Sequence, residues 1–339
     1  MLEPRALGQG ATRASAGILA PDIEGHGSAL LRALGRRSIA HYDDFIARLR
    51  ADSEQHIIYR RNGTFELAFS DADVARLLAA HLKPDPIESH WIERSDFDRY
   101  EPRASKDALA ALFIPSHGFV GVTSLTLAAA TAAQRFGATL IPNTGAIRIF
   151  SRPDGRVGVE SSTAQWDADR VVLAAGSWSS LITVQDADQV PVKPIRGQLI
   201  QLQTTPETIH RVMWGPDGYL VPWPDGSVLV GSTVEDVGFD ESHTDEAVAR
   251  LKAAAVALVP SLADAEVSSV RTGLRPKGPD DLPMIGHSSV VPGLIYATAH
   301  YRNGVMFVPL TVQLVSDLVF DRAPDPALSD LDPSRHGKL

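Results

Sequence analysis

The sequence predicts an α/β fold combined with an α+β part, with the two parts interleaved along the chain. Residues 171–175 and 294–299 are continuous apolar runs that end in small residues and lead into glycine-containing turns. Such runs are typical of strands buried on both faces of a doubly wound parallel sheet, where ligands bind at the carboxyl ends of the strands. Residues 190–270 instead contain short strand patterns typical of an antiparallel sheet with one wet face.

The first half of the chain alternates helical and strand-like segments. Ser28 precedes a run in which Leu31 and Leu34 begin apolar steps of three and four residues, which predicts one capped helix over 28–50. Gly137 follows an alanine-rich run, in the position of a left-handed helix end. The predicted helices are 28–50, 71–82 and 123–136, and the predicted strands are 57–60, 64–69, 138–141, and the hairpin strands 147–150 and 157–160.

The second half is predicted to form the antiparallel sheet and then to return to buried structure. The polar end of the chain, residues 326–339, is predicted to be a flexible tail. The predicted strands are 199–203, 211–214, 219–222, 228–231 and 294–299, and the predicted helices are 244–258 and 305–320.

The composition excludes several classes of protein and site. The chain has 339 residues and no cysteine, which excludes disulfide scaffolds, iron–sulfur clusters and cysteine nucleophiles. Lys and Arg total 32 against 41 Asp and Glu, and the resulting net charge of -9 argues against a general nucleic-acid binder. Because the chain has neither an apolar run of about 18 residues nor the apolar region of a signal peptide, a cytoplasmic location is expected.

Common catalytic and phosphate-binding motifs are absent from the sequence. There is no histidine pair with helical metal-ligand spacing, no nucleophile elbow and no P-loop, so no metal site is expected. The dinucleotide fingerprint G-x-G-x-x-G is also missing. Gly8 and Gly10 are followed by Arg13 where the third glycine would stand, and residues 25 and 27 are followed by Leu30.

Four segments together carry a resemblance to a known family. They are residues 3–21, 171–179 and 194–198, and a longer segment, 274–306, that contains the pentapeptide His-Tyr-Arg-Asn-Gly over 300–304. In this order and spacing they resemble the D-amino-acid-oxidase-like family of FAD-dependent oxidoreductases. The pentapeptide is most similar to the glycine oxidase group of that family, which serves thiamine biosynthesis.

The resemblance implies a Rossmann-like FAD-binding domain interleaved with an antiparallel-sheet substrate domain. The FAD-binding domain would comprise residues 1–52, 115–189 and 271–325, and the substrate domain residues 53–114 and 190–270. It also implies that the family's first βα unit and its glycine loop are absent from this sequence. A flavin-free pseudo-enzyme or fragment is therefore one alternative, and a misplaced start codon, with a longer active native chain, is another.

The resemblance also implies roles for individual residues. Arg275 would pair bidentately with a substrate carboxylate, Tyr219 would add its hydroxyl, and Arg302 would border the substrate. Glu3 would accept hydrogen bonds from the adenosine ribose, and a helix beginning at Gly304 would direct its positive end at the flavin. The further implied FAD contacts are Pro4, Ala11, Thr12, Ala16, Gly17, Ile18, Ala146, His300, Tyr301, Arg302, Asn303, Val305 and Met306.

The implied reaction is oxidative deamination of a small amino acid: glycine, sarcosine or a short D-amino acid. Hydride would pass from the α-carbon to N5 of a non-covalently held FAD, and O2 would reoxidise the flavin to give H2O2, with no catalytic protein base strictly required. A dehydrogenase that does not use O2 is an alternative. Asp217 stands where the glycine oxidase pattern has a histidine, so a contact with the substrate amine is expected. The expected partners are the amino acid and O2, without nucleic acid or membrane; whether the chain forms a homo-oligomer stays open.

Overall fold

The computed structural model describes residues 1–24, 28–83, 88–205 and 209–339. Residues Gly25 and Gly27, the second near-match to the dinucleotide fingerprint, lie outside the described residues. The helices are α1 (Pro21–Glu24), α2 (Ala29–Ala40), α3 (Tyr42–Ser53), α4 (Asp71–His81), α5 (Phe97–Tyr100), α6 (Val122–Arg135), α7 (Asp245–Leu258), α8 (Val308–Val319) and α9 (Ala327–Leu331). The strands are β1 (Leu2–Glu3), β2 (Ile18–Leu19), β3 (Tyr59–Arg60), β4 (Thr64–Ala68), β5 (His90–Glu93), β6 (Ala110–Ile114), β7 (Gly118–Val120), β8 (Ile141–Pro142), β9 (Ala146–Ser151), β10 (Val157–Ser161), β11 (Gln165–Ala168), β12 (Val171–Leu173), β13 (Thr183–Val184), β14 (Lys193–Gln203), β15 (Val212–Gly215), β16 (Gly218–Pro222), β17 (Val228–Gly231), β18 (Glu266–Lys277), β19 (Met284–His287) and β20 (Leu294–Thr298).

The largest sheet has the strand order β18-β14-β17-β16-β15-β4-β6-β5. Its neighbouring strands are antiparallel except for β15 and β4, which run parallel. The predicted antiparallel strands are therefore confirmed, and the mixed α/β fold with them. The boundaries of the two implied domains stay a prediction.

Both faces of this sheet are covered, so the prediction of one wet face is wrong. On one face, Ile200 and Leu220 pack against Leu251 of α7. On the other face, Leu199 and Tyr219 belong to a cluster with residues of β2 and β7. Because successive side chains of a strand point to opposite faces, one strand contributes to both layers. The face that carries Tyr219 is the one that borders the candidate site.

The smaller central sheet has the order β12-β20-β19, with β12 and β20 parallel. The run 171–175 was expected to be a strand buried on both faces, and the structure corrects this. Only Val171–Leu173 is extended, and Val172 is 39% exposed. Within the described residues, β12 is hydrogen-bonded to a strand on one side only, which leaves it at the edge of the sheet.

Two predicted helices differ from the observed ones. The single helix over 28–50 is instead α2 and α3, because the N–H of His41 bonds to Ser38 O, three residues back, and the chain turns there. The predicted cap is present, since Ser28 Oγ accepts from the N–H of Leu31 at 3.2 Å. The last long helix begins at Val308 and not near Gly304, because turns occupy the preceding residues.

The prediction of a flexible tail over 326–339 is wrong. This segment contains α9 and a 3-10 turn over Pro333–His336, and Leu339 is fully buried. The side chain of Ser289 donates to the carbonyl of Leu339 at 2.5 Å, and Arg335 pairs with Asp280 at 2.8 Å. Apolar side chains within a polar segment supply the contacts that hold it. Among the helices of the described ranges, none is long and apolar enough to cross a membrane.

Candidate active site

A cavity of about 510 Å³ is bordered by three walls and by side chains of α3 and α6. One wall is formed by residues 11–18, the second by residues 297–312, and the third by the large sheet near Tyr219 and Arg275. Most of the accessible lining is apolar, with a few polar groups converging on it, which is the usual character of a small-molecule site.

The guanidinium of Arg275 is held on the sheet wall by three acceptors. Its Nη1 donates to the carbonyl oxygens of Thr233 at 3.0 Å and Arg196 at 3.3 Å, and its Nη2 donates to Ser232 Oγ at 2.9 Å. Gly197 makes room for this arrangement, because a Cβ there would lie 2.2 Å from Nη2 of Arg275. These three acceptors are uncharged, and they fix the orientation of the guanidinium.

Tyr219 approaches the same part of the wall from the neighbouring strand. It is paired with Gly231 across β16 and β17, and a Cβ on that glycine would lie 2.4 Å from the Tyr219 hydroxyl oxygen. Residue 232 follows directly and bonds to Arg275. The hydroxyl and the guanidinium thus both lie beside residues 231 and 232, where together they can bind one anionic group.

The segment from Ala299 to Phe307 forms the opposite wall with strained backbone and available N–H groups. Ala299 and Tyr301 have φ values of 60° and 48°, which is a left-handed conformation that costs free energy in residues other than glycine. The N–H of Tyr301 bonds to Pro276 O at 2.9 Å, which fixes the turn. Within the described residues, the N–H groups of residues 304–306 have no hydrogen-bond acceptor. Strain of this kind is commonly retained at ligand-binding segments.

His300 is held neutral at the cavity wall. Its Nε2 lies 2.9 Å from Thr311 Oγ1, and both residues line the cavity. Burial lowers the pKa of His300 to about 4, because the charged imidazolium would lose its hydration. The residue therefore contributes a neutral ring near neutral pH.

Most of the predicted site residues meet at this cavity. Five do not line it, namely Glu3, Pro4, Ala146, Asn303 and Met306. Those that do are Ala11, Thr12, Ala16, Gly17, Ile18, Tyr219, Arg275, His300, Tyr301, Arg302, Gly304 and Val305.

Three of the five outlying residues lie close to one another in a separate place. The carbonyl of Glu3, at the end of β1, accepts from the N–H of Thr144 at 3.1 Å. A Cβ on Gly145 would lie 3.3 Å from Pro4, and Ala146 follows it. The other two residues are Asn303 and Met306. Asn303 is buried, and Met306 belongs to an apolar core cluster formed largely by side chains of the helices.

Sequence reasoning missed several lining residues and misplaced one side chain. Gly176, Gly197 and Ser232 all line the cavity. The two glycines lie inside the matched segments and could have been found there, whereas Ser232 carries no signal. Asp217, expected at the substrate amine, instead lies exposed in the turn between β15 and β16 and borders a different cavity of about 240 Å³.

The residues at the main cavity fit a flavin ring. Small residues such as Ala16, Gly176 and Gly304 leave flat, open walls; at Gly176 a Cβ would meet nothing within 4 Å. Asn303 Oδ1 is buried and has no hydrogen-bond partner among the described residues. The N–H groups of Gly304 and Val305, which line the cavity next to it, are suited to the polar edge of a bound ring. These N–H groups can donate hydrogen bonds to the ring even though no helix begins at Gly304.

Comparisons with known proteins agree with this assignment. The chain matches the family DAO, described as FAD dependent oxidoreductase, over residues 1–318. It is 30% identical over 332 residues to the bifunctional protein ThiO/ThiG of Nostoc sp. strain PCC 7120, covering 97% of this chain and 50% of that protein. It is also 30% identical over 336 residues to the glycine oxidase of Geobacillus kaustophilus, covering 96% of this chain and 88% of the relative.

The fold is similar to that of a solved structure. The crystal structure of glycine oxidase from Geobacillus kaustophilus superposes with a TM-score of 0.93 at 27% identity, covering 99% of this chain and 91% of that one. The chain spans about half the length of the bifunctional relatives that it matches.

Proposed function

Because the chain belongs to the DAO family of FAD-dependent oxidoreductases, we propose that it oxidises a small α-amino acid, such as glycine, sarcosine or a short D-amino acid, with O2 as the electron acceptor. In the net reaction the amino acid loses two electrons and two protons to O2, which gives hydrogen peroxide. The resulting imine takes up water and releases an oxo acid together with ammonia, or with methylamine where the substrate is sarcosine. FAD, when bound without a covalent link, supplies the hydride acceptor for this chemistry.

One observation carries the proposal: Arg275 and Tyr219 face, across one cavity, the backbone that suits a flavin. Arg275 binds the substrate carboxylate through two N–H groups, and the Tyr219 hydroxyl donates to the same group. The substrate is thereby fixed with its α-carbon turned away from the sheet and toward the opposite wall.

The remaining cavity residues act by orientation and exclusion of water. Arg302 borders the open side of the site, and His300 stays neutral, so it adds no competing positive charge beside Arg275. Residues Ala11, Thr12, Ala16, Gly17 and Ile18 approach the flavin along one wall, and the cavity-lining residues of the turn over 300–305 contact its polar edge. Glu3, Pro4 and Ala146 would hold the adenosine end.

Purified protein tests the proposal directly. We expect flavin absorbance near about 450 nm and peroxide release from glycine, sarcosine or D-alanine, with none from methylamine, which lacks the carboxylate. Anaerobic reduction of an artificial acceptor without aerobic peroxide would support the dehydrogenase alternative. Protein without flavin absorbance, even after incubation with FAD, would contradict the proposal. The implied place in thiamine biosynthesis, the cytoplasmic location and a homo-oligomer stay predictions.

A further inference from the structure

The matched segment 194–198 contains two polar side chains that the proposed function does not use. Arg196 and Gln198 lie on the face of β14 opposite Gly197, and they are 5% and 0% exposed. Neither lines the cavity, whereas Gly197 between them does. Burial of a cation and an amide behind the cavity wall calls for an explanation, because desolvation of such groups is costly.

Arg196 is anchored by two carboxylates of the segment that follows β17. Its Nε donates to Glu235 at 2.8 Å, and its Nη1 donates to Asp240 at 2.6 Å and to the carbonyl of Ser242 at 3.1 Å. The main chains of Arg196 and Glu235 also exchange two hydrogen bonds. We call residues 232–244 the anchoring segment. It is tied to β14 at several points by this one arginine.

Gln198 extends the same network to both ends of the anchoring segment. Its backbone N–H donates to Thr233 Oγ1 at 2.9 Å, and its side chain bonds to Glu235 at 2.8 Å and to the N–H of Thr244 at 2.9 Å. Burial would raise the pKa of Glu235, but hydrogen bonds from Thr233, Arg196 and Gln198 lower it below its ordinary value. Glu235 therefore stays ionised at the centre of the network.

The network ends on the three acceptors that hold Arg275. These acceptors are Ser232 Oγ and the carbonyls of Thr233 and Arg196. Two belong to the anchoring segment, and the third belongs to Arg196 itself. A small displacement of this segment would therefore rotate the guanidinium plane on which bidentate binding depends.

We propose that Arg196 is a positioning residue for the substrate-carboxylate site, acting on Arg275 through Glu235 and the anchoring segment. The proposal rests on the proposed function, in which Arg275 binds that carboxylate. Arg196 touches neither the cavity nor the substrate, and it acts by fixing the acceptors. A lysine in its place cannot span Glu235 and Asp240 in the same forked geometry.

The test compares Arg196→Lys with a matched control in the FAD-loaded protein. Arg211→Lys is the control, because Arg211, directly before β15 of the same sheet, pairs with the buried Glu101 at 3.3 Å but does not line the cavity. Calorimetry measures the Kd for acetate, a carboxylate without an amine, and steady-state assays give kcat and KM for glycine. For Arg196→Lys we expect both the Kd and the KM to rise ~10-fold, equivalent to about 1.4 kcal/mol, while kcat changes less than about twofold. Arg211→Lys should leave all three near the wild-type values.

A second variant keeps the proposal testable if Arg196→Lys folds poorly. Glu235→Gln keeps the shape of the side chain and removes its negative charge, which is one of the two that Arg196 contacts. We expect the Kd for acetate to rise about threefold. Acetate affinity that is unchanged in Glu235→Gln, or equally reduced in Arg196→Lys and Arg211→Lys, would overturn the positioning role and leave Arg275 as the anchor. Acetate affinity that survives Arg275→Ala would instead contradict the proposed anchor, and with it the role of Arg196.

Discussion

The guanidinium of Arg275 occupies the space that a side chain at Gly197 would fill. A Cβ on Gly197 would lie 2.2 Å from Nη2 and 2.3 Å from Cζ of Arg275, although the arginine lies on the neighbouring strand opposite Ile195. The position of the proposed carboxylate anchor thus depends on a glycine of β14. The atoms in conflict belong to the end of a flexible side chain, which can move without unfolding the sheet.

Gly197→Ala should therefore impair substrate binding far more than stability. The added methyl group displaces the guanidinium from Ser232 and Thr233, and we expect the KM for glycine to rise about 10-fold or more. The free energy of unfolding, obtained from urea titration, should change by no more than about 1 kcal/mol. Steady-state kinetics and urea titration measure the two effects.

A double variant separates this explanation from general damage. If Gly197→Ala acts by moving Arg275, it should have little further effect in an Arg275→Ala background, so the two effects are non-additive. Full additivity in the cycle would show that the methyl group acts elsewhere in the cavity.

Replacement of Arg275 itself should distinguish charge from geometry. We expect Arg275→Ala to raise the KM for glycine roughly 100-fold, because a paired charge and two hydrogen bonds are lost. Arg275→Lys keeps the charge but not the planar fork, and about a 10-fold rise is expected. Initial rates of peroxide release over a range of glycine concentrations measure both. A KM that is unchanged in Arg275→Ala would exclude Arg275 as the anchor.

The sequence predicted which residues meet at one cavity more accurately than it predicted the bounds of several helices and strands. Arg275 stands inside a segment with specific order and spacing, and the role of Tyr219 follows from the family resemblance; the structure brings both residues to one cavity. Ser232 was missed, since its importance arises only from strand pairing that carries it next to Arg275. Pairings of this kind depend on contacts distant in sequence, which local patterns do not contain.

The errors in the fold have the same origin. The apolar periodicity suggested one helix over 28–50. The N–H of His41 instead bonds to the carbonyl of Ser38, three residues back, and this turn divides the segment into two helices. The polar composition suggested a flexible end. Leu331 and Leu339 are nevertheless 1% and 0% exposed, because other parts of the same fold cover them. Burial is a tertiary property, and composition alone does not determine it.

The buried neutral state of His300 predicts a loss of stability in mild acid. Its pKa is lowered to about 4 in the folded protein against about 6.5 in an unfolded chain. Between these values the unfolded state binds more protons, so the free energy of unfolding falls as the pH decreases from 6.5 toward 4. From pH 6.5 to 5 we expect a loss of about 1–2 kcal/mol from this group.

His300→Gln should reduce that pH dependence. Glutamine has no titrating group and can still bond to Thr311, so the difference from the wild type isolates the imidazole. Some dependence should remain, because burial also lowers the pKa of His117. Urea unfolding at pH 7, 6 and 5 measures the slope. Identical slopes for the two proteins would mean that His300 is protonated equally in the folded and unfolded states.

Asp217 provides the sharpest contrast between the expectation from sequence and the observed geometry. It lies exposed in the turn between β15 and β16, and the cavity it borders is the smaller one beside Ala254 and Leu258 of α7. Asp217→Asn should therefore leave kcat and KM for glycine within about twofold of the wild type. Tyr219→Phe, two residues along the same hairpin, is the matched comparison, and its KM should rise several-fold because a hydroxyl contact of about 1 kcal/mol is lost. A KM that rises equally in both variants would mean that the Asp217 carboxylate also contacts the substrate, contrary to its observed place outside the main cavity.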